Sequence, residues 1–113
     1  MRITQRKGDI GVTQAIATFT RLGYDVLLPV TESAAYDVVV DTGKGLKRVQ
    51  VRYSSDTEVD LRRIHSNSAG YVVKKTRPNA YDWLYVFNGK EEFLVKNCLP
   101  DRRSISLSVM PKL

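Results

Sequence analysis

Residues 36–53 read YDVVVDTGKGLKRVQVRY, and this stretch decides the fold that we predict. Two valine-rich segments flank the loop TGKG, whose length and glycines are typical of a β-hairpin turn. With a four-residue loop, Asp41 faces Leu46, and the same register places Asp37 opposite Gln50. The sequence therefore predicts an antiparallel hairpin formed by residues 36–41 and 46–53.

The two faces of this hairpin are predicted to differ because side chains alternate along a strand. The apolar face carries Tyr36, Val38, Val40, Val49, Val51 and Tyr53. The polar face carries Asp37, Val39, Asp41, Arg48, Gln50 and Arg52. Opposed Cβ atoms lie roughly 5 Å apart, so an acid, an amide and a cation converge at one end of the polar face.

Such a cluster suits phosphodiester hydrolysis. This reaction needs a carboxylate that holds Mg²⁺ and a cation that stabilises the charge developing on phosphorus. Asp37 would hold the ion, the Val51 carbonyl would complete its shell, and Arg52 would be the cation. The pattern alone favours a solvated hairpin face with Asp, Gln and Arg over a catalytic site, because such faces are common on antiparallel sheets.

The N-terminal part predicts an amphipathic helix over residues 9–22, where apolar side chains recur at helical spacing. Asp9 is a candidate N-cap, and Gly23 supplies the left-handed residue that often follows a last helical turn. A strand at 24–29 follows, and Asn88-Gly89 marks a second hairpin. The strands of this hairpin are 81–87 and 92–96, and the weaker predictions are strands at 58–63 and 71–75, a loop at 66–70, a helical turn at 97–103 and an edge strand at 104–109.

The length of 113 residues suits one domain, so we expect a single mixed α/β or α+β unit with one sheet over residues 1–113. Cys98 and His65 are the only cysteine and histidine, which excludes a disulfide and a thiolate or imidazole zinc cluster. Apolar runs are too short for a membrane helix and no secretory signal is visible, so we expect a cytoplasmic protein.

The net charge of +6 makes a polyanionic partner plausible, and its distribution is uneven. Residues 61–81 contain no Asp or Glu. Short polar side chains at 66–68 are flanked there by basic residues, which suits a loop or ribbon against a DNA groove, with the basic groups as candidates for phosphate or guanine contacts and Asn67 for adenine. The candidates for DNA binding are Arg62, Arg63, His65, Asn67, Lys74, Lys75 and Arg77.

Four segments together resemble the PD-(D/E)XK nucleases: the entry KGDI into the first helix, GYDVLLP at 23–29, YDVVVD at 36–41 and RVQVRY at 48–53. The resemblance is strongest to homing endonucleases of this class that are associated with bacterial group I introns. It implies a restriction-endonuclease-like core in which an N-terminal helix precedes a mixed central β-sheet. It also implies Mg²⁺, double-stranded DNA as substrate and a homo-oligomer, either a dimer or a tetramer.

Transferred to this sequence, the resemblance implies that Asp37 is the metal-binding aspartate and that Gln50 takes the second acidic position. Arg52 falls at the position of the catalytic lysine. Where the family often has a helix glutamate this sequence has Val12, so Asp9, one turn earlier, is either a substitute metal ligand or only a helix cap.

Arginine keeps the charge of the lysine but does not deprotonate in proteins, which puts catalysis in question. The leading hypothesis is a site-specific, Mg²⁺-dependent DNA endonuclease of the homing type. The alternatives are a DNA-binding module that has lost catalysis and a nuclease resembling Holliday-junction resolvases.

Overall fold

The computed structural model of this protein describes residues 3–61, 63–67, 70–74, 78–100 and 102–113. One long helix is followed by nine strands and a final turn of 3-10 helix. In chain order these elements are α1 (Ile3–Arg21), β1 (Asp25–Leu27), β2 (Val38–Asp41), β3 (Leu46–Tyr53), β4 (Glu58–Asp60), β5 (Arg63–Asn67), β6 (Gly70–Lys74), β7 (Trp83–Phe87), β8 (Glu92–Val95), β9 (Ser104–Ser106) and the 3-10 turn (Leu107–Val109).

A five-stranded mixed sheet in the order β1-β2-β3-β7-β8 forms the centre of the fold. Its neighbours pair antiparallel except β3 and β7, which run parallel. The predicted architecture, an N-terminal helix followed by a mixed sheet, is confirmed. Two further two-stranded sheets, β4-β9 and β5-β6, accompany the central sheet, whereas the sequence predicted one sheet.

The register of the first hairpin agrees with the prediction. Val38 pairs with Val49 and Asp41 with Leu46. The predicted alternation fails at Tyr36, which packs with the core on the opposite side of the sheet from Val38. The reason is that β2 begins only at Val38, so Tyr36 precedes the regular strand.

The helix α1 begins earlier than predicted, and Asp9 is not its N-cap. Asp9 lies within the helix, where its carbonyl accepts a hydrogen bond from the Thr13 hydroxyl at 2.9 Å. The prediction started the helix at the first apolar repeat, but the polar residues Gln5–Lys7 are themselves good helix formers. Among the described residues, no helix combines the length and apolar character needed to cross a membrane.

The helix ends as predicted, at a glycine with a left-handed backbone. Gly23 has φ 91°, and its N–H donates to Thr20 O while Tyr24 N–H donates to Phe19 O. These two bonds form a Schellman motif, and the rings of Phe19 and Tyr24 stack with centroids 6.2 Å apart. The chain therefore turns directly from α1 into β1.

Apolar layers cover both faces of the central sheet. On one face α1 packs against β3, and Phe19, Val49 and Tyr85 are fully buried there. On the other face β4 and β9 cover the sheet, with Leu84 and Val86 at the centre of a second core. The polar end of β3 lies at the margin of these two layers.

The predictions for the C-terminal third of the chain are confirmed only in part. The second hairpin forms as predicted, with Leu84 opposite Val95 and Phe87 opposite Glu92. The predicted helical turn at 97–103 is wrong for the residues described there, which form turns and extended chain. The predicted edge strand at 104–109 forms only over Ser104–Ser106, because the Ser106 hydroxyl caps a 3-10 turn by accepting from Ser108 N–H.

Candidate active site

The candidate site lies where β2 and β3 stop being paired. The last ladder contact is the Asp37 N–H, which donates to Val49 O at 2.9 Å. Two residues farther along β3, a continued ladder would place Tyr36 opposite Val51. Tyr36 instead packs against the second core, on the other face of the sheet. The Asp37 carboxylate takes the place of this missing strand partner, because its Oδ2 accepts the Val51 N–H at 2.8 Å.

The Gln50 side chain meets the same carboxylate oxygen. Its Nε2 donates to Asp37 Oδ2 at 2.9 Å. Gln50 is only 8% exposed, and it stands opposite Leu84 on the face of the second core. A polar side chain that is buried in this way needs a partner, and Asp37 provides one. The predicted convergence of Asp37 and Gln50 is therefore present.

Arg52 completes the group from the end of β3. Its Nη1 donates to the Val51 carbonyl at 3.1 Å. In an antiparallel ladder, the N–H and the C=O of one residue point to the same side of its strand and bond to the same partner. Both backbone groups of Val51 therefore point to the side where β2 no longer pairs with β3. A carboxylate, an amide, a backbone carbonyl and a guanidinium thus share one small region.

These groups open into a cavity of about 690 Å³ whose lining includes Asp37, Gln50 and Arg52. A second cavity of about 550 Å³ shares Asp56, Glu58 and Asp60 with the first and extends to Arg103 and Ser104, away from Asp37 and Arg52. A third, of about 520 Å³, shares Asp37 and Arg52 with the first and extends along α1 to Asp9. The site is therefore accessible both from the β4 side and from the α1 side.

The donor set is restricted to oxygen. Within the described parts of the chain, no group of three or more His, Cys, Asp or Glu side chains is arranged to hold a metal ion. The oxygens of Asp37, Gln50 and Val51 are nevertheless of the kind that Mg²⁺ prefers, and Mg²⁺ usually keeps several water ligands. These residues fit a weak Mg²⁺ site that depends on water and substrate phosphate for its remaining ligands.

An ion pair on the polar face holds β3 in register. Arg48 Nε lies 3.2 Å from Asp82 Oδ2, and the Arg48 N–H donates to the same oxygen at 2.8 Å. The hydrogen bond from Arg48 lowers the pKa of the Asp82 carboxyl and raises that of Arg48 itself. The guanidinium also lies 5.9 Å from the centroid of the Tyr36 ring. Arg48 therefore contacts both Asp82, the residue directly before β7, and Tyr36, the residue directly before Asp37.

Comparison with known proteins identifies the family to which this chain belongs. The sequence pattern of the PD-(D/E)XK endonucleases matches residues 2–112, almost the whole chain. The chain belongs to the PD-(D/E)XK endonuclease family. Among solved structures it is similar to the bacterial homing endonuclease I-Ssp6803I, with a TM-score of 0.75 and 26% sequence identity over 94% of this chain and 78% of that one. Among curated protein sequences, none matches this chain with significance.

Family membership agrees with the resemblance seen in the sequence and makes DNA the expected substrate. The basic candidates for contacting DNA are only partly described. Arg63, His65 and Asn67 lie in β5 and Lys74 lies in β6, with Arg63 opposite Lys74 in the ladder. Arg62, Lys75 and Arg77 are outside the described residues. The segment thus includes a two-stranded antiparallel ribbon, but only its second strand agrees with the prediction of a strand at 71–75. The predicted strand at 58–63 is divided, because Glu58–Asp60 pairs with β9 and the first ribbon strand, Arg63–Asn67, extends into the predicted loop at 66–70.

Sequence reasoning missed several residues that line the candidate site. Lys7 lines both cavities that reach Asp37 and Arg52, and Glu32, Asp56, Glu58 and Asp60 line the larger one. No spacing rule connects these segments, which are distant in sequence. Lys7 had one available signal, since it lies one turn before Gly11, a glycine inside an otherwise regular amphipathic helix that can mark close packing.

Proposed function

We propose that this member of the PD-(D/E)XK family is a site-specific, Mg²⁺-dependent endonuclease of double-stranded DNA, of the homing type. The observation that supports it is the convergence of Asp37, Gln50 and Arg52 around the backbone of Val51. The similarity to a bacterial homing endonuclease supports the finer assignment.

The residues of the site would have the following roles. Asp37, the Val51 carbonyl and Gln50 would hold the ion, which, when bound, would polarise the phosphoryl group. Arg52 would face the phosphate and stabilise the negative charge that develops on it. Because a guanidinium does not lose its proton in proteins, Arg52 would not remove a proton from the attacking water.

Asp9 has a more distant role in this proposal. It lines the α1 side of the site together with Asp37 and Arg52, and it is exposed. Since it does not cap the helix, its carboxylate is available to orient water on that side. The proposal does not require Asp9 to touch the ion.

A second function has specific support, namely DNA binding without cleavage. Arg52 donates to the Val51 carbonyl, the same oxygen that the metal would need. A guanidinium at that place competes with a divalent cation both for the oxygen and by charge repulsion. In this alternative the fold and the basic ribbon β5-β6 remain a DNA-binding unit, and the metal site is weak or lost.

The ribbon offers a plausible means of reading DNA in either case. A two-stranded antiparallel ribbon fits the major groove of B-DNA, and β5 and β6 form such a ribbon with Arg63 and Lys74 paired across it. Arg62, Lys75 and Arg77 extend the basic character at both ends of the segment. We propose that these residues and their neighbours His65 and Asn67 contact phosphates and base edges.

A homo-oligomer, a dimer or a tetramer, completes the proposal. The β8 edge of the central sheet is covered by the C-terminal segment, where Leu113 N–H donates to Glu92 O at 2.9 Å. The other edge is β1, and the adjoining Leu27, Leu28 and Val30 are exposed. Apolar side chains grouped at a sheet edge are typical of a protein interface. Light scattering on the purified protein measures the oligomeric state.

One experiment separates these functions. The purified protein is incubated with Mg²⁺, a library of duplexes and a set of four-way junctions, and parallel reactions contain EDTA. A homing endonuclease cuts a defined duplex sequence only with Mg²⁺, whereas the DNA-binding alternative retards duplexes without cutting them. Preferential cutting of four-way junctions would instead support a resolvase-like nuclease. Absence of both cutting and salt-sensitive binding would contradict the proposal.

A further inference from the structure

The helix α1 lies unusually close to the end of β3 because of one glycine. A Cβ atom added at Gly11 would lie 3.3 Å from Val51 Cγ1 and 3.7 Å from Tyr53 Cβ. Only a residue without a side chain allows this approach comfortably. The backbone of α1 therefore rests directly on the two β3 residues that flank Arg52.

This contact brings the preceding turn of α1 to the mouth of the site. Lys7 lies one turn before Gly11, and its Nζ is 5.8 Å from the centroid of the Tyr53 ring. An ammonium is attracted to the face of an aromatic ring at this distance. Lys7 is thereby biased towards the two cavities that it shares with Asp37 and Arg52.

The charges around the larger cavity are arranged asymmetrically. Of the described residues that line it, Lys7 and Arg52 are the only cations. Four exposed carboxylates also line it, those of Glu32, Asp56, Glu58 and Asp60, and the last two belong to β4. A DNA phosphate that approached from the β4 side would meet four exposed carboxylates, whereas an approach along α1 would pass one exposed carboxylate, Asp9, before it reached Lys7 and Arg52.

We propose that Lys7 is a phosphate-binding residue, which together with Arg52 clamps the DNA phosphodiester at the site, and that the backbone enters from the α1 side. This inference rests on the proposed function, because it assumes that DNA occupies the cavity. Arg52 approaches the phosphate from β3 with a rigid planar group, and Lys7 approaches it from α1 with a flexible point charge. The acidic rim at Glu32, Asp56, Glu58 and Asp60 keeps the backbone away from the opposite side.

The test compares two single lysine variants in DNA binding. Lys7→Gln removes the proposed contact, and Lys44→Gln removes another exposed lysine, in the turn at the far end of the β2-β3 hairpin. Binding of a fluorescent duplex of about 30 base pairs is measured by anisotropy in Ca²⁺ over a range of salt concentrations. One lost phosphate contact lowers the slope of log affinity against log salt by about 0.9.

The expected result is this reduced slope for Lys7→Gln, a slope close to wild type for Lys44→Gln, and recovery in Lys7→Arg. On a duplex that the wild type cuts, Lys7→Gln should lower the single-turnover rate by about 100-fold, the usual effect of removing one group that stabilises transition-state charge. Glu58→Gln should tighten binding, because it removes a negative charge from the rim. Circular dichroism verifies that each variant is folded.

The outcomes distinguish this inference from the proposed function. If the wild type binds duplex DNA in a salt-dependent way but Lys7→Gln and Lys44→Gln have equal slopes, the role of Lys7 is wrong and the proposed function stands. If the wild type shows no salt-dependent binding, both are wrong. A larger change for Lys44→Gln than for Lys7→Gln would also overturn the inferred path, since it would place the DNA backbone at the opposite end of the hairpin.

Discussion

The Asp37 carboxylate accepts the Val51 N–H at 2.8 Å, at the point where the β2-β3 ladder ends. One carboxylate therefore has a structural and a proposed chemical role. It satisfies the first unpaired backbone donor of β3, and it stands beside the carbonyl of the same residue. The site thus exists because β2 pairs with β3 only as far as Val49, four residues before β3 ends at Tyr53.

Substitution of Asp37 should separate these two roles. Asp37→Ala removes the acceptor for Val51 N–H and Gln50, so we expect a loss of about 1–3 kcal/mol in the free energy of unfolding and no cleavage. Asp37→Asn keeps an oxygen acceptor but removes the charge, so stability should fall less while cleavage is still lost. Denaturant unfolding and Mg²⁺-dependent nicking measure the two effects. Nicking by Asp37→Asn at the wild-type rate would exclude a metal-binding role for the carboxylate.

Arg52→Lys should raise Mg²⁺-dependent cleavage. Lysine is a compact cation that can lose a proton when partly buried, and it would no longer hold the Val51 carbonyl with a planar fork. An acid–base group gained in this way would increase the rate by about 100-fold. Arg52→Met, which has no charge, serves as the control and should lower cleavage. Equal rates for wild type and Arg52→Lys on the same target would show that position 52 has no catalytic part.

Gly11→Leu should destabilise the protein, whereas Gly8→Leu should not. The added side chain at position 11 meets Val51 and Tyr53, and overpacking of this kind costs about 1–3 kcal/mol. Position 8 has nothing within 4 Å of an added Cβ, so the better helix propensity should stabilise it by about 0.5–1 kcal/mol. Thermal unfolding of both variants makes the comparison. A loss of similar size at both positions would mean that α1 does not contact β3 at Gly11.

Asp82→Asn should reduce stability in a pH-dependent manner. The hydrogen bond from Arg48 lowers the pKa of Asp82 in the folded protein, so its stabilising effect is present above the unfolded pKa of about 4 and disappears as the pH falls through the lower folded pKa. Because the pair is partly exposed, screening limits the effect to about 0.5–1 kcal/mol. Unfolding midpoints of wild type and variant should therefore differ at pH 7 and converge near pH 2. A difference that stays constant over this range would argue against the ion pair.

The part of the site that lies within one hairpin could be predicted from sequence. A four-residue loop and strict alternation fix the register, so the approach of Gln50 to Asp37 followed from counting. The end of α1 at Gly23 could also be predicted from a short stretch of sequence, because a left-handed backbone position favours glycine. By contrast, Tyr36 was placed on the wrong face, since its position depends on the second core rather than on the hairpin.

The surroundings of the site could not be predicted, because they depend on contacts between distant segments. The parallel pairing of β3 with β7 joins Gln50 to Leu84, and no local pattern sets this register. The close approach of α1 at Gly11 brings Lys7 to the cavity for the same kind of reason. Asp9 was misjudged as a cap because the polar first turns of α1 carry no apolar repeat. Tertiary packing decided each of these features.

In the proposed site, Asp37 and the Val51 carbonyl hold a divalent ion against a DNA phosphate. A crystal of the protein with duplex DNA and Mn²⁺, in which anomalous scattering locates the ion, would test this arrangement. We expect a peak about 2.0–2.3 Å from an Asp37 carboxylate oxygen and from Val51 O, with Arg52 turned towards the phosphate. A peak at another site, with Arg52 still bonded to the Val51 carbonyl while DNA is bound, would contradict it.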